Sequence, residues 1–231
     1  MTTTSSRSKN KRKRAKSRSR RGARSSNMFV WIFLGVLVVL FAVIAFISRS
    51  NNGSPSDGST TSVELTPAQV AGSGLQPFGQ EPDPAVGQPA PRLTGTTIDG
   101  EQITIEPGDG TPKAIAFLAH WCPHCQREVP TVVSWAENGG VPDGVEVLGV
   151  ATAIDPNQPN YPPHDWFERE NWTFPTLVDG TNAANQAYGL SSYPFWVLVD
   201  GEGNVVERWA GESTPEQLTQ RIGQLAESGA R

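Results

Sequence analysis

The chain has 231 residues, enough for one domain of ordinary size plus flanking segments. Its formal net charge of −4 at pH 7 joins two unlike parts: eleven of the 19 Lys and Arg fall between Arg7 and Arg24, whereas from residue 50 onward seven basic residues face 23 acidic ones, a formal charge of −16. Such asymmetry means different surroundings for the two parts, and only two cysteines, Cys122 and Cys125, exclude a fold stapled by a framework of disulfides.

Residues 1–27 read as a basic tail. Met28 to Ile47 is an uncharged run of Val, Leu, Ile, Phe and Ala; as a helix its length of about 30 Å matches the hydrocarbon core of a bilayer. It is longer than the apolar stretch of a cleaved signal peptide and ends without a small-residue cleavage site, so 28–48 is predicted to be an uncleaved transmembrane signal anchor. The excess of positive charge before it places the N-terminus in the cytoplasm and the acidic body outside. This topogenic role accounts for the basic run without nucleic-acid binding. Residues 49–85, rich in Ser, Gly, Asn, Pro and Thr, read as a flexible tether, with a short helix possible around Thr66–Ala71.

The folded body is predicted over 86–228. Thr97 to Ile105 reads as two short strands about an Asp99-Gly100 turn. Ala114 to Ala119 is a continuous apolar run, as in a buried central strand. A helix is predicted from Pro123 to about Trp135 with a kink at Pro130, then a buried strand over Val145–Ala151 and a proline-rich loop over Asp155–Pro163. Short helices follow at Pro163–Trp172 and Asn182–Tyr188, a hairpin at Phe195–Asp200 and Val205–Ala210, and an amphipathic helix at Thr214–Glu227 capped by Ser213 or Thr214. The order implies an α/β fold, a mixed sheet with helices on both faces.

The chemistry concentrates in Trp121-Cys122-Pro123-His124-Cys125. Two thiols at this spacing can close a small disulfide ring, and a ring that short contributes little as a staple, so its use is redox exchange. Cys122 stands where the helix starts, and the free N–H groups and dipole there favour a thiolate. Cys122 is therefore the expected nucleophile and Cys125, one turn on, the resolving thiol of a redox-active Cys122–Cys125 disulfide. An imidazolium at His124 would favour the reduced form.

Phe117-Leu-Ala-His-Trp-Cys-Pro-His-Cys125 with Pro130 resembles the active-site strand and helix of the thioredoxin superfamily. The opening Val86-Gly-Gln-Pro-Ala-Pro91 with Asp99-Gly100, and the long segment after the active-site helix, resemble membrane-anchored TlpA/ResA-like thiol–disulfide oxidoreductases. The resemblance implies a thioredoxin-like fold with an N-terminal β-hairpin and an insertion before the cis-proline loop. It also implies exchange with protein thiol or disulfide clients, a membrane redox partner and no cofactor. Ser192-Tyr193-Pro194-Phe195 looks like the cis-proline loop, so Pro194 is expected to face Cys122 and Tyr193 to offer backbone to a client. Trp121 and Pro123 are expected to shape the site. The family's buried acid six residues before the first cysteine is here Ala116, and Asp155 is a substitute to consider. Pro123-His124 is the dipeptide of DsbA-like oxidants, so a disulfide-introducing oxidant stands beside a TlpA-like reductase.

Rival functions fit less well. Cys122, Cys125 and His124 could bind copper or zinc, but no distant further ligand is evident. A peroxidase would want Thr or Ser at Ala119. His120 reads equally as a partly exposed turn residue or a participant in the chemistry, His164 as surface, and Trp135, Trp166, Trp172, Trp196 and Trp209 mainly as core, with Trp196 a possible wall of the client groove.

Overall fold

The computed structural model describes residues 66–229. The basic tail, the apolar segment 28–48 and residues 49–65 of the expected tether lie outside the described residues. Among the described residues no helix is long and apolar enough to cross a membrane.

Eight strands and four helices appear among the described residues: β1 (Gln69–Ala71), β2 (Arg92–Thr96), β3 (Gln102–Ile105), β4 (Lys113–Leu118), α1 (Pro123–Glu137), β5 (Glu146–Ala151), α2 (Pro163–Arg169), β6 (Thr176–Val178), α3 (Ala183–Ala187), β7 (Phe195–Val199), β8 (Val205–Ala210) and α4 (Pro215–Gly229). The main sheet runs β6-β5-β4-β7-β8. Strand β4 lies parallel to β5 and antiparallel to β7, β6 is parallel to β5, and β8 is antiparallel to β7, so the sheet is mixed. All six residues of β4 are buried, which is why its sequence is continuously apolar rather than alternating.

Alternate residues of the central strands serve two cores. Ala114, Ala116 and Leu118 of β4 and Trp196 and Leu198 of β7 pack with Val129, Val132 and Trp135 of α1 and with Leu218, Ile222 and Leu225 of α4. Ile115 and Phe117, with Phe195, Val197 and Val199, face Leu93 and Ile105 of the β2–β3 hairpin and Ala184 and Tyr188 at α3. Helices thus lie on both faces. In α1 the apolar spacing Cys125, Val129, Val132 and Trp135 turns one stripe inward. The helix runs unbroken through Pro130, whose ring is exposed, so water can satisfy the carbonyl that Pro130 leaves without a donor. Helix α4 starts in a reciprocal cap: the Gln217 N–H donates to Thr214 Oγ1 at 3.3 Å and the Thr214 N–H to Gln217 Oε1 at 2.9 Å.

The tether expected over 49–85 is corrected from residue 66 onward, where the chain packs on the domain. The helix considered at Thr66–Ala71 is instead strand β1, antiparallel to β2. Ala68, Leu75 and Ala85 are buried in the second core. Asp83 grips Arg208 of β8 in a two-pronged ion pair, Nη2 to Oδ1 at 2.5 Å and Nε to Oδ2 at 2.9 Å. The buried guanidinium also donates to the carbonyls of Gln76 and Tyr188 at 3.1 and 2.8 Å and lies over the Phe78 ring. Asp83 and Gln76 are more than 100 residues from Arg208, and a Pro- and Gly-rich segment carries no periodicity that announces them. Strand β6, three residues long and enclosed in the predicted insertion, is a further element beyond the sequence reading.

Candidate active site

Strand β4 delivers the site. Past Leu118 the chain turns so that the Cys122 N–H donates to the Ala119 carbonyl at 3.0 Å and the Cys122 carbonyl accepts from Gln126 at 3.0 Å. Cys122 is the N-cap of α1, with extended backbone (φ −74°, ψ 121°), and Pro123 occupies the first helical position, where a missing N–H does no harm. Cys122 is 6% exposed, and its Sγ donates to the Tyr193 carbonyl at 3.5 Å. Both cysteines are free thiols.

Cys125 is fully buried, its Sγ accepting from the Ala119 N–H at 3.5 Å. Burial pushes its thiol far above the usual range, and the nearby charges of Cys122 and Glu128 push in the same direction. Glu128, three residues on along the same helix face, is itself buried, 1% exposed. One carboxylate oxygen accepts from Trp196 Nε1 and the other from the Ser213 N–H, each at 2.8 Å. Burial raises its pKa and these two hydrogen bonds offset only part of the rise. The site therefore has a buried acid beside its second thiol, supplied by the active-site helix rather than by β4. At Ala116 the strand carries a methyl that pairs across with Trp196, the residue that holds Glu128.

Asp155, the substitute considered for that acid, does not fill the role. Its carboxylate accepts from the Asn157 N–H at 2.9 Å, a bond that holds its pKa below the usual value. Trp196 is likewise corrected: it is fully buried, stacked on Trp209 at 5.6 Å, and forms no groove wall. Glu128 escaped the sequence reading, although its position on the same helix stripe as Cys125 and Val132 was a usable signal for an acid turned inward.

At the mouth of the site His124 is well exposed. Its Nδ1 lies 2.6 Å from Glu212 Oε1 and 2.9 Å from Arg127 Nη2. That nitrogen can donate to Glu212 only when it carries a proton, and accept from Arg127 only when it does not. Arg127 also grips Glu212 directly, at 2.6 to 3.2 Å. The hydrogen bonds from Arg127, and then from His124, hold the Glu212 carboxyl down at about 2. The His124 ring is thus engaged at the surface rather than shared with the two sulfurs, and among the described residues the three groups do not form a metal-type cluster.

The Tyr193–Pro194 peptide bond is cis. The Pro194 carbonyl accepts from the Gly211 N–H at 2.9 Å, tying the loop to the end of β8. Trp121, partly buried, donates from Nε1 to the Ala153 carbonyl at 2.7 Å and meets the Tyr193 ring edge-on, centroids 6.3 Å apart. His120 is not an open turn residue: it is 1% exposed, with Nδ1 2.7 Å from the Pro159 carbonyl and Nε2 accepting from the Asp155 N–H at 3.2 Å. It clips the proline-rich loop beside the cysteines, and burial lowers its pKa. His164 sits in the first turn of α2. Asp165 lies 3.0 Å from its Nδ1 and Asp99 3.6 Å from its Nε2.

The chain is 30% identical over 139 residues to the sporulation thiol-disulfide oxidoreductase A of Bacillus subtilis (strain 168), covering 60% of this chain and 81% of that protein. It is 25% identical over 149 residues to the thiol-disulfide oxidoreductase ResA of Bacillus cereus (strain ATCC 10987 / NRS 248), covering 63% of this chain and 81% of that one. Its fold is like that of a crystal structure of a thioredoxin family thiol:disulfide interchange protein from Chlorobium tepidum TLS (TM-score 0.51, 22% identity), covering 59% of this chain and 94% of the other. The AhpC/TSA family model matches residues 86–208, a stretch that takes in both cysteines, Glu128, the cis-Pro194 loop and every strand from β2 to β7, and on that ground the chain belongs to the AhpC/TSA family.

Proposed function

We propose that this protein is a membrane-anchored, extracytoplasmic thiol–disulfide oxidoreductase that reduces disulfides of protein clients through Cys122 and Cys125. The observation that carries the reading is the pairing of a thiol at the start of α1 with a fully buried second thiol one turn on, beside a buried acid of raised pKa. The similarity to proteins named thiol-disulfide oxidoreductases supports it.

The steps balance. Cys122, at the start of α1, attacks as its thiolate one sulfur of a client disulfide; the S–S bond breaks and the first client sulfur leaves as thiolate and takes up a proton from water. Cys125 passes its proton to Glu128, attacks Cys122 Sγ and breaks the mixed disulfide. The second client sulfur leaves as thiolate and takes up the proton that Cys125 gave to Glu128, the Cys122–Cys125 disulfide remains, and two electrons have moved to the client. A membrane partner outside the cytoplasm must return them.

The burial of Cys125 supports the reductive direction. A thiol whose ionisation burial disfavours is a strong nucleophile once deprotonated and a poor leaving group, and an oxidant must expel Cys125 each time it oxidises a client. A DsbA-like oxidant would rely on His124, whose ring is engaged by Glu212 and Arg127. Anchoring rests on the apolar run at 28–48 and its basic flank.

The test is insulin-disulfide reduction by the parent, Cys122→Ser and Cys125→Ser. The parent is expected to be active, Cys122→Ser inactive, and Cys125→Ser to accumulate a mixed disulfide with the client. A Cys122→Ser protein as fast as the parent overturns the reading. A reduction potential near about −270 mV supports the reductive direction, and one near about −120 mV reverses it.

A further inference from the structure

The aromatic rings beside Cys122 are held by a belt of hydrogen bonds that the exchange steps do not use. Trp121 Nε1 donates to the Ala153 carbonyl at 2.7 Å, and the Ala153 N–H donates to Asn182 Oδ1 at 2.8 Å. The Thr152 hydroxyl stands between that oxygen, at 3.3 Å, and Asp179 Oδ2, at 2.9 Å. Asp179, fully buried, accepts from the N–H groups of Ala184 at 3.1 Å and Asn185 at 3.0 Å. Asn185 Nδ2 then donates to the Tyr193 hydroxyl. The Tyr193 ring closes the circuit by meeting the Trp121 ring nearly perpendicularly, at 86°. Cys122 sits beside it, bonded to the Tyr193 carbonyl.

Backbone conformation marks the belt as a constraint. Ala153 and Asn182 both have positive φ, 50° and 62°. Asn tolerates that region, whereas Ala has no side-chain bond to favour it. Ala153 is held there by its N–H to Asn182 and its carbonyl to Trp121.

We propose that Asn182 and Asn185 are positioning residues. They set the half-buried rings of Trp121 and Tyr193 as a rigid wall beside Cys122, and so favour client disulfides with an apolar side chain next to the cysteine. The proposal rests on the thiol–disulfide reading above. A wall ordered in advance does not lose side-chain freedom when a client packs on it, so the benefit falls on client binding and shows in KM.

Two disulfide peptides of equal length, differing only in Leu or Ser beside one cysteine, are reduced by the parent, Asn185→Ala, Tyr193→Phe and the double variant, with kcat and KM measured for each. The parent is expected to prefer the Leu peptide. Asn185→Ala raises KM for that peptide about fivefold, the size of one ordinary hydrogen bond, and raises it less for the Ser peptide, so the preference narrows. Tyr193→Phe, which removes the same bond and keeps the ring, does likewise. The double variant is no worse than either single one, because both remove one interaction. Preference unchanged in the variants, or effects that multiply, overturns the proposal; if Asn185→Ala does not fold, Tyr193→Phe alone decides it by the same change in preference. A parent active on both peptides without preference overturns this inference alone, and a parent active on neither overturns the functional reading with it.

Discussion

Replacing Glu128 by Gln isolates the buried acid. Both carboxylate oxygens accept from N–H donors, Trp196 Nε1 and the Ser213 amide, at 2.8 Å. A glutamine has one acceptor oxygen, so its NH2 must face one of those donors in a site that is 1% exposed. A buried donor left without an acceptor costs about 1–3 kcal/mol, which for a domain of this size lowers Tm by roughly 3–10 °C. The pH dependence has a definite sign. Burial raises the folded-state pKa of Glu128, so the native state keeps a proton that the unfolded chain releases. Glu128 therefore costs nothing below the ordinary carboxylate value of about 4.3, and its cost grows as pH rises toward the folded pKa, above which it is complete. Urea unfolding of parent and variant at a series of pH values from about 4 to 8, spanning that range, should show the parent losing stability relative to Glu128→Gln as pH rises. Removing the charge also lowers the pKa of Cys125, which alkylation of that thiol in a Cys122→Ser background reads directly. A variant as stable as the parent at neutral pH, with the same slope against pH and the same Cys125 titration, would refute the geometry on which the proton transfer rests.

Asp83→Asn should cost roughly 3 kcal/mol at neutral pH, since it leaves the buried Arg208 guanidinium without its counter-charge. Although burial alone would raise the Asp83 pKa, the Arg208 and Ala85 hydrogen bonds win and lower it. The pair's stabilisation is therefore present above about 3.9 and lost as pH falls through the folded value, so parent and variant should converge in denaturant titrations near about pH 2. His120 behaves oppositely to a paired histidine. Burial lowers its folded pKa against the opposing pull of the Pro159 hydrogen bond and the Asp155 charge, so the native state is fully stable above the ordinary histidine value of about 6.5 and weakens as pH falls below it. The unfolding midpoint should drop between about pH 7.5 and 5.5, and His120→Leu should remove that drop; an unchanged pH profile in the variant would show that another group is responsible.

Much of the fold was legible because its signals are local. The apolar run before Cys122, the Pro123 start of α1, the Ser213-Thr214 capping signal and the spacing of Leu218, Ile222 and Leu225 each lie within one or two turns of chain. What sequence reading misplaced depends on partners far away. Asp83 and Arg208 are separated by 125 residues, so a segment that looks like a linker by composition is packed by an ion pair that no window can see. Asp155 was a reasonable acid by type and position, but its carboxylate is taken by its own turn.

By itself the sequence determined where the reactive sulfurs stand: two cysteines three positions apart, the first at the end of a strand and the start of a helix, a consequence of helix geometry and of proline's fixed φ. Only the tertiary structure decided their surroundings. The inward stripe of α1 meets β7 and the start of α4 over Glu128, and that packing buries a carboxylate beside Cys125. The closure of residues 152, 179, 182 and 185 under Trp121 and Tyr193 is of the same kind. Burial and convergence are sums over the whole packed chain, and for that reason desolvation, hence the titration of these groups, is absent from any single stretch of residues.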